Sequence, residues 1–204
     1  MKADYKKSLD SYRAKRGEFR IVEVPELQYL MIDGHGDPNS SKEFDAAISA
    51  LYPVAYKLKF ASKVDLGRDF TVMPLEGLWW STEMESFTTG RDKSKWDWTL
   101  MIMQPEWITQ DMFAESVRKV AEKNAPTVLS SVRLQTLSEG LSVQTLHVGP
   151  FDEEAGVLEK MHDRFIPDHS LEVVGKHHEI YFSDLRKTTP ERLRTLLRQP
   201  VQRA

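Results

Sequence analysis

Polar and apolar residues alternate along Arg20-Ile21-Val22-Glu23-Val24, and this period of two, which stops at Pro25, predicts a β-strand. A second apolar run, residues 27–32, ends at Asp33-Gly34, and the turn-rich Gly36-Asp37-Pro38-Asn39 follows. The period then changes. Phe44, Ala47, Ile48, Leu51, Val54, Ala55 and Leu58 recur at helical spacing, with Ser40 or Ser41 placed to cap the helix and Glu43 in its first turn. Residues 70–81 and 96–103 return to strand-like runs, separated by a polar loop over 83–95 that contains Gly90. A helix over 109–124, with Met112, Val117 and Val120 on one side, reads as a connector.

The order then recurs. Residues 132–137 and 141–148 predict a hairpin around Ser138-Glu139-Gly140, and Gly149-Pro150 leads into a helix over 152–165. A strand follows at His177-His178-Glu179-Ile180-Tyr181-Phe182-Ser183, and residues 193–201 favour another, closed by Pro200. Gly34, Leu78-Trp79-Trp80-Ser81 and Gln104-Pro105 thus have counterparts in Gly149, Ile180-Tyr181-Phe182-Ser183 and Gln199-Pro200. The expected fold is α+β, built from two tandem modules, residues 19–105 and 129–201. Helices cover one face of an antiparallel sheet, and a ligand groove is expected on the other. Residues 1–18 are mostly polar and are expected to form an N-terminal arm or frayed helix.

The strand around Glu179 carries the chemistry. Side chains alternate between strand faces, so His178, Ile180 and Phe182 share one side while His177, Glu179, Tyr181 and Ser183 share the other. A carboxylate held among aromatic groups is costly unless something cationic or hydrogen-bonding meets it, which makes Glu179 a functional candidate. Register with the first repeat places Trp79 beside Tyr181 in the pattern and Gly77 where Glu179 stands. Trp79, Met101 and Met103 are then expected to look away from the helices, with Trp80 on the helix side unless a bulge near Gly77 swaps the two. Aromatic rings, adaptable Met side chains and one carboxylate suit a flat, apolar or cationic ligand.

Composition narrows the alternatives. Hydrophobic residues make up 40% and charged residues 29% of the 204, an ordinary globular balance. A net charge of −3 gives no basic surplus for nucleic acid. The absence of cysteine removes disulfide and thiolate chemistry and suits the reducing cytoplasm. No apolar run is long enough for a membrane span. His177 and His178 are adjacent on a strand and point apart. His35, His147, His162 and His169 lack metal-ligand spacing, so no metal or other cofactor is expected.

Glu76-Gly77-Leu78-Trp79-Trp80-Ser81, His147-Val148-Gly149-Pro150-Phe151 and His178-Glu179-Ile180-Tyr181-Phe182-Ser183-Asp184, with Thr189-Pro190-Glu191 after them, resemble the GyrI-like family. The resemblance runs over residues 19–201. It implies two βαββ modules of the SHS2 type about a pseudo-twofold axis, and a small-molecule groove in which Glu179 meets aromatic or cationic drugs. With no DNA-binding segment before the module, the chain is similar to a stand-alone branch that includes cyclopropane-opening hydrolases. On that reading Glu179 and Tyr181 are the catalytic residues, and Trp79, Trp80, Met101, Met103 and His177 bind the ligand. A protein that sequesters drugs without turnover is the alternative, and the resemblance leaves monomer or homodimer open.

Overall fold

The computed structural model describes residues 2–81, 92–124, 126–184 and 187–204, so most of the expected loop over 83–95, with Gly90, lies outside the described residues. The chain is α+β and its strands pair antiparallel. It divides into two compact units, and both are discontinuous in sequence. Unit one holds Met1–Tyr5, Leu27–Met73 and Gly77–Leu137; unit two holds Lys6–Glu26, Pro74–Glu76 and Ser138–Ala204.

In unit one, β2 (Leu27–His35) pairs with β4 (Asp97–Gln104) on one side and β5 (Arg133–Leu137) on the other. β3 (Glu76–Trp80) neighbours β4. The expected strand over 70–81 is shorter because Pro74 interrupts it. Phe70 instead forms a parallel bridge with Ala3. Helix α1 (Lys42–Asp65) starts where the sequence pattern placed it: the Ser41 hydroxyl accepts from the Phe44 amide at 3.3 Å, and Glu43 and Asp45 sit in the first turn. Its inner stripe, Ala47, Ala50, Leu51, Val54, Ala55 and Leu58, is buried. Helix α2 (Gln110–Asn124) packs on α1.

In unit two, β6 (Gly140–Val148) is flanked by β1 (Arg20–Val24) and β9 (Arg194–Arg203), and β9 also pairs with β8 (His177–Tyr181). The sequential strand order of the repeats is therefore not the order of pairing, and the hairpin expected of residues 132–137 with 141–148 does not form: β5 joins β2, while β6 joins β1 and β9. The helical segment opens at Phe151–Glu153, after Gly149, whose φ of +147° a side chain would resist. It continues as α3 (Ala155–Lys160), widens to a π-turn at Met161–Phe165 and closes at Ile166–Asp168. Met161, Ile166, Val143, Leu197 and Val201 make the core beneath it.

Two expectations are corrected here. β9 runs through Pro200 rather than stopping at it: the proline carbonyl accepts from the Val174 amide at 3.0 Å, and β7 (Leu171–Val173) pairs alongside. The residues before Phe19, expected as an arm or frayed helix, form short helical turns at Tyr5–Ser8 and Asp10–Tyr12 and are anchored, with Ser11 and Tyr12 2% and 3% exposed. Among the described residues no helix is long and apolar enough to cross a membrane.

Candidate functional site

Residues directly opposite one another in an antiparallel pair share a face. Glu179 stands opposite Leu197, whose side chain belongs to the core under the helical segment. Tyr181 meets the Phe151 ring edge-on, with centroids 5.8 Å apart, at the start of that segment. The row His177, Glu179, Tyr181 therefore faces the helix-bearing side of unit two. This corrects the expectation of a groove on the face away from the helices. Strand alternation tells which residues share a side, but not which side the helix covers.

Glu179 is mostly buried, its side chain 15% exposed. The Tyr181 hydroxyl donates to Glu179 Oε2 at 2.7 Å, and His177 Nε2 lies 3.5 Å from Oε1. A carboxylate has about four lone-pair sites, so these contacts orient it and leave capacity for a water or a polar ligand group. The π-turn brings His162 near. Burial, reinforced by the neighbouring His177 and opposed by Asp163, pushes the His162 pKa down to about 4, so that imidazole is neutral at neutral pH.

The opposite face of β8 holds a charge network that sequence reasoning missed. His178 stands opposite Arg198 in the ladder. His178 Nδ1 is 2.9 Å from Glu139 Oε1, and its Nε2 is 3.0 Å from Glu76 Oε2. Arg198 donates to Glu139 Oε2 at 2.7 Å, to Gln144 Oε1 at 3.1 Å and to the Ser11 carbonyl at 2.5 Å. The Tyr12 hydroxyl donates to Glu76 Oε1 at 2.6 Å. Burial alone would lower the His178 pKa, but the Glu139 carboxylate and the hydrogen bonds to Glu139 and Glu76 outweigh it and hold the value at about 9. Burial likewise would raise Glu139, yet His178 and Arg198 hold it at about 2. Two motif residues thus part company: His178 anchors the sheet to residues 11 and 12, while Glu179 turns to the helix side. The signal present in the sequence was Arg198 directly after the apolar pair Leu196-Leu197, and Glu139 in the turn between two strand-like runs.

Unit one supplies an aromatic wall and a second correction. Phe44 of α1 contacts Trp98 at 5.2 Å and Trp79 at 6.1 Å between centroids, and Trp79 also meets Trp96 at 5.9 Å. Trp79 is therefore on the helix side, where Trp80 was expected, and the half-buried Trp80 takes the other face. Met101 and Met103 do point away from α1, opposite Met31 and Tyr29, but they are 0% and 1% exposed and so belong to a packed layer. The sequence grouped Trp79 with both methionines; the structure puts them on opposite faces of one sheet.

With this geometry in place, a family model described as the GyrI-like small molecule binding domain matches residues 17–202. The chain belongs to the GyrI-like family. Solved relatives of this GyrI-like chain include three proteins from Listeria innocua, two of them described as hydrolases. A conserved protein described as uncharacterized is 37% identical with a TM-score of 0.90, covering 98% of this chain and all of its own. A protein described as a hydrolase is 35% identical with a TM-score of 0.86, with the same coverage. The EcmrR C-terminal domain, 12% identical over 92% of this chain and 98% of its own with a TM-score of 0.57, shares the fold. No curated protein matches the sequence.

Proposed function

We propose that this GyrI-like chain binds polycyclic, planar or cationic aromatic molecules and hydrolyses cyclopropane-bearing cytotoxins, with Glu179 as general base. The observation that carries the reading is the largely buried Glu179 carboxylate held by the Tyr181 hydroxyl at 2.7 Å on the helix-bearing face of its unit. The relatives described as hydrolases at 35% identity support it. Trp79, buried against Phe44 and Trp96 in unit one, is retained as an aromatic contact. His177 contacts the ligand beside Glu179. Trp80 is retained as a contact, while Met101 and Met103 act from within the packed layer. The two units are read as diverged βαββ modules of SHS2 type, working in the cytoplasm.

A cyclopropane conjugated to a dienone is strained and electrophilic. Water attacks the ring methylene as Glu179 takes its proton, forming one C–O bond and breaking one ring C–C bond. The released electron pair aromatises the ring and places negative charge on the former carbonyl oxygen, which ends as a phenol by taking a proton. The Tyr181 hydroxyl turns from Glu179 to that oxygen and stabilises the charge. General-base help of this kind supplies roughly 10²- to 10⁴-fold in rate, with positioning and electrostatics adding to it.

The test incubates purified protein with a cyclopropylindole compound and follows the water-added product by mass spectrometry. Glu179→Gln is expected to lower turnover by about 10²-fold or more while a planar dye still binds. Intact compound with wild-type protein, or unchanged turnover in the variant, would remove the hydrolytic reading. Dye binding without product would leave sequestration.

A further inference from the structure

Helix α1 carries a second apolar stripe, and this one is exposed. Tyr56, Phe60 and Val64 recur every fourth residue and are 49%, 57% and 79% exposed. Tyr52 extends the stripe, its ring 6.5 Å from that of Tyr56. Beside it, between α1 and α2, opens a groove of about 480 Å³ whose apolar lining includes Phe60, Ala61, Val64 and Met112. Single exposed apolar residues are ordinary, but a contiguous ridge next to a groove marks an interaction surface.

We propose that this ridge is the contact between two copies of the chain, paired antiparallel about a twofold axis near Phe60. The charges select that occupant. Among the described residues neither Lys57 nor Asp65 has an ion-pair partner, and eight residues separate them by about 12 Å along the helix. At about 100° per residue both fall on the same flank of the ridge, the flank that borders the groove. An antiparallel twofold pairing lays Tyr56 against Val64 of the second copy and Phe60 against Phe60. It also brings Lys57 opposite Asp65 and, by symmetry, Asp65 opposite Lys57. A parallel twofold pairing would instead carry this flank to opposite sides of the ridge in the two copies and leave Lys57 and Asp65 unmatched. Self-complementarity of this kind is what an isologous interface requires. None of these residues belongs to the proposed hydrolytic site, so assembly and turnover can be tested apart.

The experiment is sedimentation equilibrium of the full chain over a range of micromolar concentrations. A reversible dimer is expected, and Val64→Glu is expected to leave monomer with an unchanged circular dichroism spectrum. Lys57→Asp and Asp65→Lys should each weaken the dimer roughly tenfold, since each turns two attractions into two repulsions, and the double reversal should restore it. Monomer at every concentration, a dimer indifferent to Val64→Glu, or a double reversal as weak as the single ones would each overturn the proposal, the last two by placing the contact elsewhere.

Discussion

A carboxylate that accepts one hydroxyl hydrogen bond and lies near one imidazole is oriented while keeping lone pairs for a further partner, and that is the condition of Glu179. Removing the hydroxyl alone separates orientation from charge. Tyr181→Phe keeps the ring against Phe151 and deletes only the donor to Glu179. Dye affinity is expected to stay near the wild-type value, because the carboxylate and the aromatic surface remain. Turnover of a cyclopropylindole compound is expected to fall about 10- to 100-fold, because the oxygen that stabilises developing charge is gone. Steady-state kinetics check this: a rise in KM with kcat preserved would make Tyr181 a binding residue only.

At the scale of the element, what was legible depended on periodicity. The start of α1 and the connector helix followed from apolar spacing and capping residues, whereas the turn at Ser138-Glu139-Gly140 joins two strands that pair elsewhere, β5 with β2 and β6 with β1 and β9. The faces did not, because parity groups Trp79 with Gly77 and Glu179 with Tyr181 but carries no information on where a distant helix will pack. β9 continued through Pro200, whose carbonyl accepts from the Val174 amide just past β7, a contact that a single-strand pattern does not reveal. Close approach is equally invisible in one dimension. Gly34 of β2 stands opposite Trp98 of β4, and a Cβ there would lie 2.1 Å from the indole ring. Since Trp98 is fully buried, Gly34→Ala must displace it at a cost of about 1–3 kcal/mol or more. Thermal denaturation should show a lower Tm, and adding Trp98→Phe should recover part of the loss in a double-mutant cycle. Strict additivity of the two changes would show that the contact does not set the cost.

For the whole molecule, a net charge of −3 exerts little self-repulsion, so pH dependence is governed by groups whose pKa differs between folded and unfolded chains. His178 is held at about 9 against an ordinary 6.5 by Glu139 and Glu76. A raised folded pKa means that the protonated form is favoured by folding. Its contribution is therefore complete below about 6.5 and is lost as pH rises through about 9. Glu139 is held at about 2 against an ordinary 4.5, so its contribution is complete above about 4.5 and is lost as pH falls through about 2. Stability should form a plateau between these limits and decline on both sides. Tyrosine and lysine titration also act at high pH, so the decisive quantity is a difference. The gap in unfolding free energy between wild type and His178→Gln, measured by urea denaturation from pH 6 to 10, should narrow steadily above pH 6.5. The variant starts lower because Glu76 and Glu139 lose a buried cationic partner. It should approach wild type as His178 itself becomes neutral. A gap that stays constant across that range would mean the imidazole is not charged in the folded chain, and that the network is held by Arg198 and Tyr12 alone.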